Sequence, residues 1–289
     1  EPSTSGGGIA TITNLRRMGP SSDDIAKAGD TYQIRCTAPA NGEVTATIGG
    51  ETYVLAQEAI ATTGVEAYYS TEITLPDVAD GQVENLGQIQ YKLTFDGTTS
   101  SGTSEGDLYV TGKDAYVIVR VNQNSAILYE DGEDGSNHVS LLSPGAVDAV
   151  VDCTDGYFQL SMGSWISKSY VDILEDQTEW ADTVTDTSYT AGDDGEYLVL
   201  SGNASPSFKA YNTSEKVTIR FYNTTGIELD RINSNLFSSM TIREEDSNTT
   251  LEFYKRDSVE TVGYDISYDG NGNTTVFFNP KASVGSESA

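Results

Sequence analysis

The sequence predicts an all-β protein built from several small sheets. Apolar and polar residues alternate in short runs, the runs recur about every 8–12 residues, and Gly, Asn and Asp stand between them. A strand buried on one face needs an apolar side chain at every second position, because successive Cβ atoms point to opposite faces. Helix signals are nearly absent; the best is a short stretch around Asp23 to Ala28.

The first block spans residues 9–113. Tyr32, Ile34 and Cys36 alternate with Thr31, Gln33 and Arg35, and the same pattern returns in Val44, Ala46 and Ile48 and in Ile89, Tyr91, Leu93 and Phe95. About seven such strands in roughly 100 residues predict an immunoglobulin-like sandwich. The buried Trp of that fold has no counterpart here, since both Trp residues lie later in the chain.

The second block, 114–174, holds strands at Tyr116–Val121, Ala126–Tyr129, His138–Leu142, Ala146–Cys153 and Tyr157–Leu160, closed by Ser164–Ile166. So many short strands in so few residues hide their edges only by curling into a small barrel. Residues 175–193 carry six acids and no Lys or Arg, and predict an exposed acidic linker. The third block, 194–281, alternates again at Val217, Ile219 and Phe221, at Met240 and Ile242, at Leu251 and Phe253, at Val262, Tyr264 and Ile266, and at Val276 and Phe278. These runs predict a second antiparallel sandwich. Residues 1–8 and 282–289 read as linkers, the second leading to a further C-terminal domain.

Two of these blocks carry a family resemblance. Gly163-Ser164-Trp165-Ile166-Ser167-Lys168-Ser169-Tyr170-Val171, preceded by the strand Gly156–Leu160, resembles the G-x-W-I/V-x-x-x-Y-V ending of bacterial SH3 domains. In the third block the succession KVTIRFYNT, MTIR, TLEFY, GYDISY and TTVFFNP resembles the AMIN domain, which precedes the catalytic part of many N-acetylmuramoyl-L-alanine amidases. The resemblance implies a secreted bacterial segment that binds peptidoglycan or another cell-wall polymer. It also implies a zinc-dependent amidase domain beyond residue 289. The expectation from another class is a surface adhesin or spacer that binds protein partners.

The charge balance narrows the function. With 44 acidic and 16 basic residues, the net charge is −28. That field argues against nucleic acid, which demands Lys and Arg on its phosphates, and against insertion in an anionic membrane. It fits the solubility of an extracytoplasmic protein, with loose collection of Ca²⁺ as the sharper reading. Asp269-Gly270-Asn271-Gly272-Asn273 opens like a calcium loop but lacks the closing Glu, and it reads as a hairpin turn. The acid run Glu130–Asp134 reads as a mobile loop between barrel strands, with a bound cation as the alternative.

Catalytic chemistry has little to build on. A hydrolytic zinc site of the amidase kind needs two His and a carboxylate, and His138 is the sole histidine. Cys36 and Cys153 sit on strand-like sequence and read as two separate buried thiols; no metal site is expected. A two-carboxylate glycosidase would need a deep cleft, which small β modules rarely offer. The candidate ligand-binding residues are therefore aromatic platforms for sugar faces, Tyr129, Tyr157, Trp165 and Tyr170, for which core packing is the alternative reading. Arg220 and Arg243, with Lys255, are the cations of the third block available to meet carboxylates, and a solvated face is their plainer reading.

Overall fold

In the computed structural model residues 9–175 and 179–280 are described; the expected linkers at 1–8 and 282–289 lie outside the described residues, as do 176–178 of the acidic stretch. The described chain is all-β apart from one short 3₁₀ turn, and it divides into two compact units. One comprises residues up to 117 together with 153–155; the other comprises 118–152 and the residues from 156 onward.

The first unit contains β1 (Asp24–Lys27), β2 (Thr31–Pro39), β3 (Glu43–Ile48), β4 (Glu51–Gln57), β5 (Glu66–Thr74), β6 (Val83–Phe95) and β7 (Thr98–Thr111). Their order is β1-β7-β6-β3-β4-β5-β2. Strand β4 pairs with β3 through Glu51–Leu55 and with β5 through Ala56 and Gln57, so it leads the chain from one group of strands to the other. The inward residues of both groups share one core that includes Ile34, Cys36, Val44, Ala46, Ile89, Tyr91 and Leu93. The alternation predicts these same positions. In place of a Trp, the largest fully buried side chains of this unit are Tyr69 and Tyr91. Each hydroxyl is spent on a backbone carbonyl, Tyr69 on Pro39 at 2.8 Å and Tyr91 on Gly19 at 2.6 Å, which removes the cost of burying it.

Two details differ from the sequence reading. The stretch around Asp23 to Ala28 is strand β1, not helix, because Asp24–Lys27 pair in parallel with Leu108–Thr111 of β7. Local propensity is overridden there by a partner more than 80 residues away (Asp24 to Leu108). The two cysteines are free thiols as expected, and Cys36 is buried, its thiol pushed up to about 12 by burial; only Cys153 departs from the reading of two buried thiols. Cys153 is half-buried, with Sγ 3.3 Å from Asp24 Oδ1.

The second unit begins with β8 (Ile118–Val121), β9 (Ala126–Tyr129), β10 (His138–Leu142), β11 (Val147–Cys153, whose last residue falls in the first unit), β12 (Tyr157–Leu160), β13 (Trp165–Ser167) and β14 (Val171–Ile173). They form one nearly closed, barrel-like sheet in the order β10-β9-β13-β12-β11-β8-β14. The 3₁₀ turn Lys168–Tyr170, capped by the Ser167 side chain, turns β13 into β14. Inward residues Leu128, Phe158, Leu160 and Ile166 are no more than 1% exposed.

Further along run β15 (Asp182–Thr183), β16 (Asp186–Ala191), β17 (Glu196–Ser201), β18 (Phe208–Asn212), β19 (Lys216–Phe221), β20 (Thr224–Thr225), β21 (Phe237–Glu245), β22 (Asn248–Lys255), β23 (Gly263–Tyr268) and β24 (Asn273–Asn279). Two four-stranded antiparallel sheets result, β16-β17-β24-β23 and β18-β19-β22-β21. They face each other, since Phe253 of β22 and Phe278 of β24 meet at 4.8 Å and Phe237 of β21 packs on Phe278 at 4.9 Å. Strands β15 and β16 occupy part of the expected acidic linker. Strand β16 is an edge strand with no fully buried residue, anchored by Tyr189, which stacks on Phe253 at 6.3 Å and donates its hydroxyl to the buried Glu196 carboxylate.

Barrel and sandwich join within this unit around a buried carboxylate. Asp148 of β11 is 2% exposed and accepts hydrogen bonds from Ser161 Oγ at 2.5 Å, Ser207 Oγ at 2.7 Å and the Ala149 amide at 2.7 Å. Ser161 belongs to the barrel and Ser207 leads into β18. Asn223 Nδ2 donates to Ser161 Oγ at 2.8 Å, and the Val147 amide donates to Ser205 O at 2.8 Å.

Two stability predictions follow from this packing. Phe253→Ala, at the centre of the aromatic core, is expected to lower the unfolding free energy of the second unit by about 3–5 kcal/mol in urea titration. Asp148→Ala, which strands the buried Ser207 hydroxyl and removes the half-buried Ser161 hydroxyl's acceptor, is expected to cost about 2–4 kcal/mol. Burial raises the Asp148 pKa against the pull of its hydrogen bonds, so the folded chain binds this proton more readily than the unfolded one. Its contribution is then greatest below the unfolded carboxylate pKa and is lost as pH rises through the folded value. Unfolding measured across that window should show a pH slope in the wild type that Asp148→Ala reduces.

Candidate functional site

The barrel-like sheet gathers the four aromatic candidates. Antiparallel pairing sets Gln159 of β12 opposite Trp165 of β13, Trp165 opposite Tyr129 of β9, and Tyr129 opposite His138 of β10. Opposed residues point to the same side of a sheet, so these four form one transverse row on the outer face. At the usual strand spacing the row is about 14 Å long. Inward neighbours Leu128, Phe158 and Ile166 hold the backbone against the core, which leaves the alternate positions for the outer face.

Tyr157, two residues before Gln159, widens the row. Its ring meets Tyr129 edge-on at 5.5 Å, and His138 meets Tyr129 edge-on at 5.2 Å from the other side. Tyr170, presented by the 3₁₀ turn, completes the group beside Tyr129. Partial burial, then the neighbouring Tyr170, raises the Tyr129 phenol; a hydrogen bond to Asp134 Oδ1 at 3.0 Å raises that of Tyr157. All four tyrosine and tryptophan side chains are half-buried. The arrangement offers ring faces and edges flanked by hydroxyl, imidazole, amide and carboxylate groups.

The acid run Glu130–Asp134 forms the rim of this face. The Asp131 amide bonds Ser136 Oγ, Asn137 Nδ2 bonds Glu130 Oε2, and Tyr157 takes up Asp134. Gly132 sits on the Trp165 indole, where a Cβ would come within 2.6 Å of Cε3. Trp165 therefore serves both the outer face and the seating of the loop. The Asp269 turn is built differently from a cation site: its Oδ1 accepts from the Asn271 and Asn273 amides at 2.7 and 3.1 Å, and Oδ2 from Asn273 Nδ2 at 2.6 Å. Those donors lower the Asp269 pKa. Among the described residues no group of three or more His, Cys, Asp and Glu side chains is placed to hold a metal ion, and no helix is long and apolar enough to cross a membrane.

The two arginine candidates lie elsewhere, on the outer face of β18-β19-β22-β21. Register sets Lys209 opposite Arg220, Arg220 opposite Thr250, and Thr250 opposite Arg243. Arg220 and Lys209 both lie over the Tyr222 ring, at 5.4 and 5.9 Å. Lys255 is not in this row; its Nζ donates to Thr213 O at 2.6 Å. Sequence reasoning took His138 for an ordinary strand residue and Asp134 for part of an acidic loop, and did not name Lys209; the structure sets them beside the candidates.

No family model matches this chain, and no curated protein matches it. Among solved structures it is similar, at 10% identity and a TM-score of 0.23, to one described as Down Syndrome Cell Adhesion Molecule (DSCAM) isoform 1.30.30, N-terminal eight Ig domains. The match covers 92% of this chain and 41% of that one, so this chain spans less than half of its length. The all-β architecture stands on the strands and ladders themselves.

The seating of the acidic loop is open to test. In a Trp180→Phe background, Gly132→Val should lift the loop from the indole and shift Trp165 fluorescence emission to longer wavelength. Unchanged emission would mean the loop does not rest on that ring.

Proposed function

We propose that this chain is a non-catalytic segment that holds a secreted bacterial protein against cell-wall glycan. The observation that carries the reading is the Gln159–Trp165–Tyr129–His138 row with Tyr157 and Tyr170 beside it. Sugar rings present C–H faces that stack on aromatic side chains, and their hydroxyls meet polar groups placed around those rings. The row supplies both. In this reading the barrel-like sheet is the bacterial SH3-like module, the paired four-stranded sheets are the AMIN-like module, and the first unit is an Ig-like sandwich. The full-length protein is then a zinc-dependent N-acetylmuramoyl-L-alanine amidase, with the chemistry outside this segment. Tethering by shallow contacts raises the effective concentration of wall substrate even when each contact is weak.

Co-sedimentation with purified, insoluble peptidoglycan tests the reading, before and after removal of secondary polymers and with or without EDTA. The wild-type chain should pellet with the stripped material. Tyr129→Ala and Trp165→Ala should each weaken binding about three- to tenfold, the worth of one aromatic contact. Ile60→Ala, a substitution at a fully exposed position of the first unit, should change nothing. Loss of pelleting in EDTA would add a bridging Ca²⁺ to the mechanism. Absence of pelleting in every condition would sink the reading in favour of an adhesin or spacer with protein partners.

A further inference from the structure

The outer face of β18-β19-β22-β21 gathers positive charge in a chain whose net charge is −28. Lys209, Arg220 and Arg243 stand in one transverse row, interrupted only by Thr250. Like charges directly opposite one another across a strand pair destabilise a sheet, and Lys209 faces Arg220 in that relation. Burial lowers the Lys209 pKa, and the Arg220 charge lowers it further.

Among the described residues no ion pair neutralises the row. The ion pairs of the described residues are Arg17–Glu66, Arg35–Glu58 and Lys216–Glu252, and none includes these three cations. Glu252, the nearest outward acid on β22, is taken by Lys216, and the residue of β22 that falls within the row is the uncharged Thr250. Arg220 Nε is buried with no hydrogen-bond partner in the described structure. In a chain with 44 acids, these three aligned cations have no ion-pair partner among the described residues.

We propose that the Lys209–Arg220–Arg243 row is a binding site for ligands carrying two or more closely spaced carboxylates. The planar guanidinium fork matches a carboxylate in two parallel hydrogen bonds. The phosphate alternative is less well served, because phosphate sites draw on free backbone amides at helix ends or nests. Here the flanking amides belong to strand ladders. The overall negative field does not forbid the contact: at physiological ionic strength charges beyond about 8 Å are largely screened, whereas the row acts at contact. Strand spacing sets Lys209 and Arg220 about 5 Å apart and Arg220 and Arg243 about 10 Å apart, a match for carboxylates on neighbouring residues of a short acidic chain. The site is independent of the aromatic row on the barrel.

The test is titration of the full chain with tetraglutamate, with tripolyphosphate in a parallel arm, followed through the arginine Nε–Hε signals. Tetraglutamate should move the signals of Arg220 and Arg243, and its affinity should fall about tenfold in Arg220→Gln and in Arg243→Gln. Arg231→Gln, an exposed arginine outside the row, should leave the affinity unchanged. Arg243 is itself exposed, so its substitution reads out binding even if Arg220→Gln fails to fold. Silent Arg220 and Arg243 signals, or equal affinity in both row variants, would overturn the proposal. Equal or tighter binding of tripolyphosphate would overturn the carboxylate assignment. Concentration-dependent association of the chain, abolished by Arg243→Gln and unaffected by tetraglutamate, would overturn it in favour of a second copy's own acids.

Discussion

The second unit depends on a carboxylate kept out of water. Asp148 lies where the barrel-like sheet meets the sandwich, and its oxygens are shared between Ser161 on one side and Ser207 on the other. A buried acid without donors would be expelled or neutralised. With them it becomes a directional joint, because hydroxyls from two modules must arrive at fixed positions to satisfy it. Apolar contacts alone would let the two modules slide over one another, since dispersion forces are non-directional. The Val147–Ser205 and Asn223–Ser161 bonds extend the same joint along the backbone.

Two other acids follow the same logic at smaller scale. Glu196 is 2% exposed, and it accepts from Tyr189, from Ser234 Oγ at 2.5 Å and from the Asn235 amide at 2.6 Å, tying the loop before β21 to the opposite sheet. Asp182 on β15 accepts from the Asn203 and Ala204 amides at 2.8 and 3.0 Å. A share of the acid count is therefore internal scaffolding, and the composition that reads as solubility conceals it.

Much of the architecture was legible because period-two alternation is a direct imprint of a half-buried strand. Ile34, Cys36, Val44, Ala46, Ile89, Tyr91 and Leu93 are buried where the pattern sets them, and Ala126–Tyr129, His138–Leu142 and Tyr157–Leu160 run between the expected residues. What escaped depends on partners distant in sequence. Residues 24–27 become a strand only beside β7, and β16 is polar enough to pass for linker because an edge strand needs little burial. The candidate site divides similarly. Tyr129, Tyr157, Trp165 and Tyr170 stand out by residue type. His138 joins them through a register that shifts between His138 and Ser140, an irregularity no alternation count reveals. Lys209 lay outside the recognised runs, and only the β18–β19 ladder sets it against Arg220.

The joint at Asp148 bears on more than stability. Two outward rows, one aromatic and one cationic, belong to modules that share a single compact unit. Modules strung on a flexible tether can adjust their separation to suit what they grip. Modules locked through a shared carboxylate cannot, so any chain molecule touching both rows must present its rings and its charges at one set interval.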